Sequence, residues 1–94
     1  MVQSLVERRL LGVAARLKEL REEMRVADEQ LAHLDDIAED ARIRAMVSET
    51  PLSDQEHREA DKHAKAMRRH REAVQAEIAK LEATQDELLD ELTG

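Results

Sequence analysis

Four histidines, His33, His57, His63 and His70, and a large set of carboxylates are the side chains here whose chemistry could reach beyond packing. On a helix, His63 and His70 stand two turns and about 10 Å apart, too far to share one ion. Glu59 and His63, four residues apart, share a face. A di-metal bundle, however, needs a Glu-x-x-His pair with supporting carboxylates on each of two helices, and no such set occurs. The histidines therefore read as edge residues of a packing seam, and no metal or other cofactor is expected. No serine, histidine and carboxylate set and no glycine-rich phosphate cradle is present, so no enzymatic activity is expected. The densest basic run, Arg68-Arg69-His70-Arg71, is bracketed by Asp61, Glu72 and Glu77, and the net charge is −7. That field repels phosphate backbones, so the run reads as a solvated helix face and no direct nucleic-acid binding is expected.

The composition says what kind of scaffold carries these groups. There is no cysteine and no aromatic residue, 39% of the 94 residues are charged, and only two glycines and one proline interrupt them. Disulfides and thiolate metal sites are excluded, the rings that line cofactor pockets are missing, and what remains is the composition of long helices. Met1-Val2-Gln3-Ser4-Leu5-Val6 is too short, and too soon followed by Glu7-Arg8-Arg9, to be a secretory or membrane segment. A cytoplasmic location without membrane contact is expected, and the abundance of arginine and alanine fits a GC-rich bacterial gene.

Apolar or small residues recur in the first half at Val6, Leu10, Val13, Leu17, Leu20, Met24, Ala27, Leu31, Leu34, Ala38, Ala41 and Ala45. Alternating steps of four and three make a heptad seam. It predicts a helix over about residues 3–47, on the order of 65 Å long, dented only by Gly12. A second seam runs through Ala60, Ala64, Met67, Arg71, Val74, Ile78, Leu81, Gln85, Leu88 and Leu92, in a helix over about 54–92. Between them Pro51 must end the first helix, which leaves a turn over about 48–53. Thr50 could cap the second helix with Pro51 at its first position, or Ser53 could cap it with Glu56 completing a capping box. The second arrangement is favoured.

A short connection makes the halves neighbours, so the expected fold is all-α: a single two-helix antiparallel coiled-coil hairpin. A pairing that runs from Ala41 with Ala60 through Leu34 with Met67, Leu31 with Arg71 and Met24 with Ile78 to Leu10 with Leu92 uses every residue of the second seam. It sets Asp35 by Arg68, Arg42 by Asp61 and Arg21 by Glu82, with Glu23 beside Glu77 as the one like-charged pair. In this register Arg71 lays its stem on the seam beside Leu31. Arg71, Gln85 and His57 are the polar seam residues that could fix register or pair across a dimer.

Two surfaces are left over. Val2, Leu5, Val6, Leu11 and Leu89 make the open end greasier than one hairpin can bury, which predicts a homodimer, a four-helix arrangement with two-fold symmetry. The turn carries Glu49, Leu52, Asp54 and Glu56, with Met46 and Val47 beside them, as a tip for an unidentified protein partner. The leading expectation is a non-enzymatic interaction or adaptor protein. In architecture the hairpin resembles the coiled-coil arm of Gre-type transcript cleavage factors, whose acidic tip works inside RNA polymerase. That resemblance, in shape alone, implies as an alternative a transcription regulator inserting its tip into RNA polymerase or another nucleic-acid enzyme.

Overall fold

The computed structural model describes residues 4–94. Two long helices, α1 (Leu5–Ser48) and α2 (Pro51–Thr93), form a helical hairpin, and the described residues contain no strand. Ser4 caps α1, its Oγ accepting a 3.1 Å hydrogen bond from the Glu7 backbone N–H in a Ser-x-x-Glu start signal. Gly12 lies inside α1, where an added Cβ would meet nothing within 4 Å.

The turn is tighter than expected. Only Glu49 and Thr50 separate the helices, so α2 starts at Pro51 rather than near residue 54. Thr50 is the cap: the Ser53 N–H donates to Thr50 Oγ1 (3.1 Å) and the Thr50 N–H donates to Ser53 Oγ (3.2 Å). This is a capping box with serine in the position that glutamate or glutamine usually fills, and Pro51 supplies the preset φ of the first helical residue. The favoured alternative, Ser53 as cap with Glu56 reaching back, is thereby corrected. Ser53 is buried inside the first turn of α2, and Glu56 lies exposed on the helix. Glu49 closes α1 in the left-handed conformation (φ 49°), its N–H donating to the Ala45 carbonyl (3.1 Å).

Internal packing divides the chain into two units. A turn unit spans Arg25–Glu72, and a terminal unit joins the α1 residues up to Met24 with Ala73–Gly94. The expected α1 seam is also the observed one. Every buried or half-buried residue described on α1 belongs to it, and each of its positions is at least half-buried. On α2 the seam begins earlier than expected, with buried Ser53 and half-buried His57, and ends earlier, because Leu92 is 48% exposed.

The register follows from the flanking charges. In the turn unit Arg68 Nη2 donates to both carboxylate oxygens of Asp35 (3.0 and 3.1 Å), as expected, but Arg71 Nε donates to Asp28. In the terminal unit Arg16 reaches Glu77 (Nη2 to Oε1, 3.1 Å). Together with the two-residue connection, these contacts set Ala45 level with Ser53, Ala41 with His57, Leu34 with Ala64 and Ala27 with Arg71. In the terminal unit they set Leu20 level with Ile78. The expected pairing is therefore displaced by one seam position. At that level Arg71 stands opposite Ala27 rather than Leu31, and its head turns to the Asp28 carboxylate. Glu77, expected beside Glu23, is instead neutralised by Arg16.

Candidate interaction surfaces

In the terminal unit, a groove of about 420 Å³ opens between the helices, floored by Leu10, Leu11, Ala14 and Leu89 and edged by Glu7 and Gln85. The seam places these residues. Leu10 and Gln85 are seam positions, and Leu11, Ala14 and Leu89 stand on one flank of it, where each helix turns outward. Leu11 is 58% exposed and Leu89 43%, while Leu5, at the start of α1, is 65% exposed. Of the interface residues expected from sequence, Leu11 and Leu89 are thus brought together on one groove. Val6 is half-buried on the seam, and Val2 lies outside the described residues. Seam spacing spends Leu10 and Gln85 on the opposite helix and so hides them as lining residues. The signal that could have found them was the small side chain at Ala14, which leaves the flank open.

In the turn unit Val26 and Ile37 are exposed along α1, and Ile43, Met46, Val47 and Leu52 are exposed near the connection, Val47 the most at 80%. Glu49 stands among them in sequence, with backbone geometry that costs a non-glycine residue about 1–2 kcal/mol. Asp54 sits in the first turn of α2, where its charge complements the helix N-terminus.

A third, polar recess in the turn unit is lined by Asp35, Glu39, Arg42, His57, Asp61 and Arg68, among others. Its charges are paired mainly along their own helices. The hydrogen bond from Arg42 holds the Glu39 carboxyl below its usual value, and that from Lys65 does the same for Asp61. Arg42 and Asp61, expected as partners, each take a closer neighbour instead. Among the described residues no group of three or more His, Cys, Asp or Glu side chains is arranged to hold a metal ion. The basic run is also partly spent, since Arg68 and Arg71 are bound by carboxylates of α1.

Comparison of the chain with protein-family models, with curated proteins and with solved structures finds no match. Among the described residues no helix is long and apolar enough to cross a membrane.

Proposed function

We propose that the chain is a non-enzymatic interaction protein, an antiparallel coiled-coil hairpin that self-associates through its terminal unit into a two-fold dimer of four helices. The observation that carries this reading is the apolar groove of the terminal unit, open between leucines that protrude beside it. Each large apolar side chain covered there contributes roughly 1.5–3 kcal/mol. A patch that offers both a groove and protruding leucines can serve itself, as a two-fold contact requires. Sedimentation at tens of micromolar tests it: a dimer is expected for the native chain and a monomer for Leu11→Ser/Leu89→Ser, whereas a native monomer ends the proposal.

A second reading is favoured by the turn. Glycine would occupy position 49 at less cost, yet a charged residue sits there beside four exposed apolar side chains. That combination supports a tip presented to another protein, and a groove of RNA polymerase or another nucleic-acid enzyme is one such destination. Affinity capture with Glu49, Leu52 and Asp54 changed together discriminates. A partner lost on changing them supports the tip reading, and an unchanged set of captured proteins removes it.

A further inference from the structure

The groove of the terminal unit does not end at its leucines. On α1, Lys18 and Arg21 follow Leu11 and Ala14 at heptad spacing and so share their flank; both are exposed. On α2, Asp86 and Glu82 precede Leu89 by three and seven residues, share its flank, and are also exposed. One strip of the surface therefore has an apolar segment shared by the two helices, then a cationic segment on α1 and an anionic segment on α2.

We propose that the occupant of this strip is the same strip of a second copy, with α1 of one chain lying on α2 of the other; this rests on the self-association inferred above. Two hairpins can meet face to face about a two-fold axis in two ways. An axis across the helices lays α1 on α1 and α2 on α2 with the copies running in opposite directions, so that when the leucines meet, the charged segments of the two copies are carried to opposite sides of the axis and away from one another. An axis along the helices lays α1 on α2, which sets cations against carboxylates at both symmetry-related contacts. Unlike charges directly opposed are favourable, and only the second arrangement brings the charged segments together, so the strip selects it. The levels agree with it. In the register of the terminal unit Leu11 and Leu89 stand at nearly the same height, as do Lys18 and Glu82, so each finds its counterpart on the second copy without sliding. Charge then decides which helix meets which, and the leucines hold the contact together.

Charge exchange tests the arrangement. Lys18→Glu/Arg21→Glu makes the strip anionic on both helices, and Glu82→Lys/Asp86→Lys makes it cationic on both. Each variant alone is expected to sediment as a monomer at a concentration where the native chain is a dimer, and an equimolar mixture is expected to form a one-to-one heterodimer. Far-UV circular dichroism on each variant establishes that the helices persist, as the exposure of all four side chains predicts. A native dimer whose two variants still pair with themselves, with no preference on mixing, overturns the arrangement while leaving self-association standing. A native monomer overturns both. Should either variant fail to fold, the neutral Lys18→Gln/Arg21→Gln chain decides. Losing the charge pairs at both symmetry-related contacts is expected to weaken its dimer about tenfold against the native chain in the same buffer, and an unchanged affinity contradicts the charge strip.

Discussion

The two units of the hairpin hold their helices together by different means. In the terminal unit the seam is built from Val6, Leu10, Val13, Leu17, Leu20 and Met24 against Val74, Ile78, Leu81 and Leu88, with Gln85 as its polar member, and Leu17 and Leu20 are each 1% exposed. In the turn unit Ala27, Ala38, Ala41, Ala45, Ala60 and Ala64 dominate, and Ser53, His57 and Arg71 replace apolar residues. Alanines let backbones approach closely but bury little apolar area. The turn unit offsets this with a reciprocal cap at Thr50 and Ser53 and with the charge pairs Asp35–Arg68 and Asp28–Arg71. All four of those charged side chains are substantially exposed, so each pair contributes only about 0.2–1 kcal/mol. One unit thus rests on buried area and keeps further apolar side chains exposed beside it, and the other rests on geometry.

The largest expected break in this comparison is a large-to-small change in the terminal seam. Leu20→Ala is expected to cost about 2–5 kcal/mol, because it leaves a cavity where one of the two largest fully buried side chains stood. In the turn unit Ala41→Gly costs about 1 kcal/mol, mostly through lost helix propensity. Denaturant melts of both variants at one protein concentration check the ratio, and equal losses would erase the contrast. Smaller, and opposite in sign, is Glu49→Gly: removing the left-handed strain is expected to gain about 1 kcal/mol in the same melts. A loss there would mean that the Glu49 side chain makes a contribution of its own.

The smallest expected effect is that of acid. Glu39 and Asp61, both in the turn unit, have carboxyls held below their usual values by Arg42 and Lys65. A lowered folded-state value means that the stabilisation is present above the ordinary carboxylate range and is lost as pH falls through the lowered values. Acid therefore loosens the turn unit slightly. The side-chain carboxyl shifts of Glu39 and Asp61, followed from about pH 5 to about pH 2, should titrate below the ordinary carboxylate range near 4. Titration within that ordinary range would remove the two pairs as contributors.

Much of this was legible in the residues and some was not, for a physical reason. The α1 seam could be read to the residue, because burial on a long helix follows one period. The connection could not. Two overlapping start signals occur at Thr50 and Ser53, and the pattern of glutamates and glutamines favours the wrong one; Ser53 completes the cap in a role more often filled by a longer side chain. Beginning the second seam at Ala60 instead of Ser53 displaces the register by one seam position, since a heptad pattern sets apolar residues against apolar residues in neighbouring registers almost equally well. Loop length and flanking charge are left to decide between them. Asp35–Arg68 was foreseen; Arg71–Asp28 and Arg16–Glu77 were hidden by the displaced pairing. At the candidate surface, Leu11 and Leu89 stood out as excess apolar residues, whereas the groove between them depends on Ala14 and on how far the helices splay, which no sequence pattern records.

Amide hydrogen exchange read residue by residue at two protein concentrations puts the central claim to its most direct test. If the terminal unit meets a second copy, protection along the α1 stretch through Leu10–Leu20 and the α2 stretch through Leu81–Leu89 should rise with concentration. Amides around Ala41 and Ala60, held only within their own chain, should rise less. Protection that is independent of concentration everywhere, or that rises only around the turn, would contradict the account.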